Sequence, residues 1–181
     1  VSEWTADPSR QLPAAAGEAI VRLDEAVRRD PDERFGGPTF GILVHAVLAQ
    51  AGFDATREAL EDIACGEARV IGIDEPAARA AAARAERVLG HPLLKRARSA
   101  AARGACRRET PISCRLPDGV LVEGVVDLAF EEDGRWTVVD YKTDREIAEG
   151  GEERYRRQIA LYAAAIGQAT GAPASGVLLR I

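Results

Sequence analysis

The chain has no methionine, two histidines, two lysines among its 24 basic residues, and three cysteines, and only 5% of it is aromatic. The cysteines, Cys65, Cys106 and Cys114, are odd in number and show no CxxC spacing. That excludes a zinc ribbon and a disulfide scaffold, suits a reducing cytoplasm, and leaves them as small apolar fillers. No run of 18 apolar residues occurs, so no membrane-spanning helix is expected, and nothing at the front reads as a secretory signal. GxSxG, HExxH and P-loop motifs are also missing, which leaves a metabolic-hydrolase reading without support. With no methionine, a start at Val1 and an end in the strand-like Leu179-Arg180-Ile181, the sequence reads as a fragment of a longer protein.

What is present is enough for one compact domain over residues 1–181, since 46% of the 181 residues are apolar. The front, 1–105, reads as mostly helical and carries His45. The rest, 106–181, reads as a β-meander, a helix and a final strand. Net charge is −5, yet Arg84–Arg108 holds eight basic residues and one acid, leaving the remainder near −12. Such a stripe is either a localised anion-binding face, with phosphodiesters the obvious ligand, or a solvated helix face. Lys142 stands out in a chain so biased to arginine, because lysine titrates when desolvated and arginine does not readily.

The stretch richest in information is Val120–Thr143. Val120–Phe130 and Trp136–Lys142 are β-branched and aromatic, with Asp133-Gly134 between them as a two-residue turn signal. That turn sets Glu132 opposite Arg135 and, counting back, Asp127 opposite Asp140. Strand alternation then puts Asp140 and Lys142 on one face, joined by Asp127 from the neighbouring strand. Facing carboxylates in an apolar sheet repel one another and lose water. A divalent cation between them removes both problems; a shifted register or a solvated face would remove the need for one.

Along the rest of the chain, Leu12–Arg29 reads as a helix, Asp30-Pro31-Asp32 as its end, and Phe35–Pro38 as loop. Thr39 is read as the cap of a helix Phe40–Ala51, with His45 off its apolar stripe on a small-residue face open to close approach. Further helices are expected at Asp54–Cys65, Pro76–Leu89 and Leu93–Arg103, with Gly66–Asp74 as a link and His91 as a turn residue. Arg107–Leu116 reads as a strand leading to a Pro117-Asp118-Gly119 loop. Treated as three residues, this loop places Glu109 opposite Asp127, although Pro111 marks the strand as an edge. Thr143–Gly151 reads as a polar loop, Glu152–Thr170 as a helix aligning Tyr155, Gln158 and Tyr162, and Ser175–Ile181 as a strand.

Taken in order, Gly41-Ile-Leu-Val-His45, Glu109-Thr-Pro111, Gly124-Val-Val-Asp127, Asp140-Tyr-Lys142-Thr143 and Gln158-x-x-x-Tyr162 resemble the RecB-type branch of the PD-(D/E)XK nucleases. These are the nuclease domains of RecBCD, AddAB and AdnAB helicase–nucleases and of related exonucleases. The similarity runs from about residue 36 to 181, and residues 1–35 carry no motif. The resemblance implies a mixed α/β, restriction-endonuclease-like αβββαβ core behind an N-terminal helical region. It implies His45, Asp127, Asp140 and the Tyr141 backbone carbonyl as metal ligands, and Lys142 as the residue that orients the attacking water and stabilises phosphate charge. It further implies Gln158 and Tyr162, with Tyr155 in support, as nucleic-acid contacts, and Glu109 as a supporting acid. Some relatives carry a four-cysteine iron–sulfur cluster; the three cysteines here do not flank the core, so no cluster is expected.

The expected activity is therefore hydrolysis of phosphodiester bonds, with single-stranded DNA delivered by an attached or associated helicase motor in recombinational double-strand-break repair. Mg²⁺ or Mn²⁺ on hard oxygen ligands suits that chemistry, with the histidine leaning toward Mn²⁺. No membrane is involved in this reading, and the site of action is cytoplasmic. The competing expectation is a nucleic-acid-binding or scaffold domain that keeps the nuclease fold without useful activity.

Overall fold

The computed structural model describes residues 35–115, 119, 121–143 and 151–181, together with the backbone of 21–25. In chain order its elements are β1 (Val21–Glu25), α1 (Pro38–Gln50), α2 (Arg57–Ile71), α3 (Glu75–Gly90), α4 (Pro92–Ala101), β2 (Cys106–Arg115), β3 (Leu121–Glu132), β4 (Arg135–Lys142), α5 (Glu152–Thr170) and β5 (Ala174–Arg180).

Local chemistry sets the helix ends. α1 starts from Gly37, at φ 93°, with Pro38 in its first turn, so Thr39 lies inside the helix and does not cap it. Thr56 caps α2 by accepting from the Ala59 N–H, and α2 ends where Gly72 turns left-handed. The expected link over Gly66–Asp74 is thus mostly helix. Gly66 has open space where a side chain would stand, and its backbone cost of about 1 kcal/mol does not break the run. Asp74 caps α3 at 3.0 Å, and His91, expected only to turn the chain, caps α4 through Nδ1 at 3.2 Å from the Leu93 N–H.

The five strands form one mixed sheet in the order β1-β5-β4-β3-β2. β2, β3 and β4 are an antiparallel meander, while β5 runs parallel to both β4 and β1. The sequence predicted helix across Leu12–Arg29, but Val21–Glu25 is a strand, paired from Val21↔Gly176 to Glu25↔Arg180. A short parallel strand draws its stability from a distant partner, which leaves little local signal. The remainder of that predicted helix, Asp30-Pro31-Asp32, Pro117-Asp118 and residues 144–150 of the polar loop lie outside the described residues.

Helices cover both faces. Phe40, Leu43, Val44, Val47 and Leu48 of α1, with residues from α2–α4, pack on Leu128, Phe130, Val139, Tyr141, Val177 and Leu179. On the other face Ile159, Tyr162, Ala163 and Ile166 of α5 meet Val126, Ala129 and Val138. Gly176 lets α5 sit this close: a Cβ there would come within 2.8 Å of Ile159 Cγ1. Among the described residues, no helix is long and apolar enough to cross a membrane.

The basic stretch Arg84–Arg108 does not form the single open stripe that its spacing allows. Arg84 is buried, with its guanidinium over the Phe40 ring. Arg96 pairs with Glu132 and lies over Phe130, and Arg108 donates to the Ala51 carbonyl at 2.6 Å and lies over Phe53. Arg103 and Arg107 donate to backbone carbonyls. Much of this charge braces the helical layer against the sheet.

Candidate active site

The β3–β4 register runs from Glu132↔Arg135 to Leu128↔Val139 and stops one step short of Asp127 and Asp140; beyond it Asp127 meets β4 through its side chain, at the Tyr141 N–H. Asp127 interrupts the alternation of its strand. Val126 packs under α5, whereas Leu128, two residues on, packs under the helical front. Across from it, Arg108↔Leu128 and Thr110↔Val126 hold the expected register, but Glu109 between them takes φ 45°, a left-handed value costly for glutamate. No residue is inserted. The chain kinks where the Asp127 carboxylate turns toward β4 and α1. Glu109 thus stands in the row with Asp127, and β2 is the sheet's last strand, as Pro111 signalled.

Asp127 Oδ2 accepts from the Tyr141 N–H at 2.7 Å and lies 3.7 Å from His45 Nδ1. His45 is brought there by α1, its ring edge-on to the Tyr141 ring with centroids 5.8 Å apart. The small-residue face that carries His45 is therefore approached by the sheet itself. Its side chain remains 24% exposed, open to a ligand.

Asp140 is 2% exposed. Lys142 Nζ lies 2.8 Å from its Oδ2 and donates to the Tyr141 carbonyl at 3.0 Å. Lys142 is thus the charge that faces Oδ2, and no other donor among the described residues reaches that oxygen. Burial pushes the Asp140 carboxyl up to about 6, with Lys142 opposing and Asp127 adding to the rise. Asp127 is also raised, by burial first, against the pull of His45 and Lys142. Burial raises Glu109 too, with nearby His45 opposing. In Asp127 and Asp140 alike burial outweighs the pull of Lys142 and His45, and Asp140 is raised further by Asp127 beside it.

From α5, Gln158 Nε2 donates to Tyr162 Oη at 3.0 Å. Tyr162 is 3% exposed and its ring belongs to the core. Its hydroxyl is raised by burial and, further, by Asp140 and Asp127. Tyr155 turns its ring toward Lys142, with Nζ 5.1 Å from the centroid.

As they stand, no three histidine, cysteine or acidic side chains among the described residues converge on one point at ligating distance. The donor set still fits a hard divalent cation: the buried Asp140 carboxylate, the neighbouring Asp127 carboxylate, an imidazole and a backbone carbonyl. The cysteines are dispersed, Cys65 in α2 and Cys106 and Cys114 in β2, and all three are free thiols.

The family model for the PD-(D/E)XK nuclease superfamily matches residues 18–181, reaching further forward than the motifs, which begin near residue 36. An ATP-dependent helicase/nuclease subunit of Desulforudis audaxviator is 34% identical over 177 residues, covering 86% of this chain and 14% of the relative. Proteins of the same name from Acetivibrio thermocellus and Listeria welshimeri are 37% and 40% identical, over 50% and 40% of this chain, and 8% of each relative. The chain thus spans only 8–14% of the length of these curated relatives.

Proposed function

The chain belongs to the PD-(D/E)XK nuclease superfamily, and on that premise we propose that its site is a divalent-metal-dependent deoxyribonuclease centre. The proposed substrate is single-stranded DNA, delivered by an attached or associated helicase in cytoplasmic end processing and recombinational repair. The helicase/nuclease relatives support the motor and, through it, the repair role. The observation that carries the chemistry is the half-buried Asp127 beside the buried Asp140, with the Lys142 ammonium 2.8 Å from Asp140 Oδ2.

In this reading Asp127, Asp140, His45 and the Tyr141 carbonyl hold Mg²⁺ or Mn²⁺. Such an ion supplies Lewis acidity at the phosphate and acidifies water. Lys142, fixed by Asp140 and the Tyr141 carbonyl, orients the attacking water and stabilises charge gathering on the scissile phosphate. Its ammonium lies close enough to Asp140 to point into the same small volume. Gln158 orients the Tyr162 hydroxyl, which is left to donate to the nucleic-acid backbone. Glu109 serves as a supporting acid beside His45.

Labelled oligonucleotides of single-stranded DNA, duplex DNA and RNA, incubated with Mn²⁺ or with EDTA, test this. The expected result is Mn²⁺-dependent cleavage, strongest on single-stranded DNA, abolished in Asp140→Ala and Lys142→Ala. Cleavage surviving in both variants would overturn the assignment. Binding without cleavage in any metal would support the scaffold reading.

A further inference from the structure

Lys142 carries the most demanding positional role in the proposed mechanism and is also the most flexible member of the site, a point charge on a four-carbon stem. Asp140 Oδ2 and the Tyr141 carbonyl both draw its ammonium from the side of its own strand. From α5, the Tyr155 ring lies with its centroid 5.1 Å from Nζ. That is within the range at which an aromatic face attracts a cation, and desolvation strengthens the attraction. Lys142 is buried, so the condition is met. Arg154 adds a second cation 5.9 Å from the same centroid.

We propose that Tyr155 is a positioning residue for Lys142: its ring face holds the ammonium in register with Asp140 and the Tyr141 carbonyl, and it acts on catalysis through that lysine, not through contact with nucleic acid. This rests on the nuclease reading above. The ring face does the holding, so the hydroxyl is dispensable. Tyr155 thereby couples α5 to the catalytic strand.

Two measurements test it. The chain has only two lysines, Lys95 and Lys142, so a ¹³Cε-lysine spectrum contains two resonances, assigned with Lys142→Ala. The Lys142 Hε protons are expected upfield through the ring current, in wild type and Tyr155→Phe alike, and to return to the position of an exposed lysine in Tyr155→Leu. Lys142 resonating like Lys95 in the wild type would overturn the proposal whatever the activity.

In kinetics on a single-stranded oligonucleotide with Mn²⁺, Tyr155→Phe should stay within about two-fold of wild type, while Tyr155→Leu lowers kcat about ten-fold with KM unchanged. In the inactive Lys142→Ala background, Tyr155→Leu should leave the affinity for the single-stranded oligonucleotide, read by fluorescence anisotropy, unchanged. A raised KM with unchanged kcat, or weakened oligonucleotide binding in the double variant, would overturn the proposal in favour of a direct nucleic-acid contact. Ring-dependent lysine resonances together with full cleavage by Lys142→Ala would instead overturn the catalytic role given to Lys142, and with it the proposed action of Tyr155 on catalysis, and leave only the ring–ammonium contact standing.

Discussion

The Tyr141 N–H donates to Asp127 Oδ2 at 2.7 Å, so a carboxylate of β3 caps the main chain of β4 one residue beyond Asp140. This bond holds the two acids together despite their repulsion. It also aims the Tyr141 carbonyl, which takes the Lys142 ammonium. The site is therefore built by strand pairing and by the kink at Asp127, and α1 and α5 add His45, Tyr155 and Gln158 from either side of the sheet.

The first consequence concerns stability and activity moving in opposite directions. Asp140→Asn removes a buried charge that repels Asp127, so at pH 8 in EDTA the variant should melt no lower than wild type. Cleavage should nevertheless be lost. Adding Mn²⁺ should raise the wild-type Tm and leave the variant's unchanged, since only a ligand bound to the folded state stabilises it. A thermal melt with and without metal checks this.

A second consequence is a pH dependence of the metal-free protein. Burial, reinforced by Asp127, raises the Asp140 carboxyl from its ordinary 3.8 to about 6. A raised acid contributes stability that is fully present below pH 3.8 and is lost as pH rises through 6. In EDTA the difference in Tm between wild type and Asp140→Asn should therefore fall across that window. A difference that stays flat would place the Asp140 carboxyl in the ordinary range.

The third concerns Gln158 and Tyr162, bonded at 3.0 Å. Gln158→Ala should raise KM for single-stranded DNA severalfold with kcat nearly unchanged. Tyr162→Phe keeps the core ring and should act likewise, whereas Tyr162→Ala leaves a cavity and should cost about 3–5 kcal/mol. Steady-state kinetics beside denaturant melts separate the two effects.

A fourth tests how α5 is seated. Gly176→Ala would push a methyl to 2.8 Å from Ile159 Cγ1. Overpacking of this kind should cost about 1–3 kcal/mol, and Ile159→Ala in the same chain should recover part of it. Urea unfolding of the single and double variants provides the comparison.

Much of this is readable in the residues because it is local. Asp133-Gly134 fixes the β3–β4 register as far as Leu128↔Val139, and the Asp127 bond to the Tyr141 N–H, which turn chemistry does not reveal, completes the approach to Asp140. α5 spans Glu152–Thr170 as its acidic start and its Gly171 end indicate. Even the Glu109 register follows from turn length, although its left-handed backbone does not. Features that depend on distant partners are hidden. Val21–Glu25 is a strand because β5 lies beside it, and its own composition suits a helix equally well. Arg84 sits in a basic run yet points inward onto Phe40, which charge counting cannot see. Gly66 reads as a helix end, but nothing crowds it and the helix passes through. The His45 approach to Asp127 is visible in sequence only as a histidine off the apolar stripe of α1.

The most direct test of the site is calorimetric titration of Mn²⁺ into the wild-type chain and into Asp127→Asn, Asp140→Asn and His45→Ala. Wild type should bind, the two asparagine variants should lose measurable binding, and His45→Ala should bind more weakly. Equal affinity in all four proteins would contradict a metal held between Asp127 and Asp140.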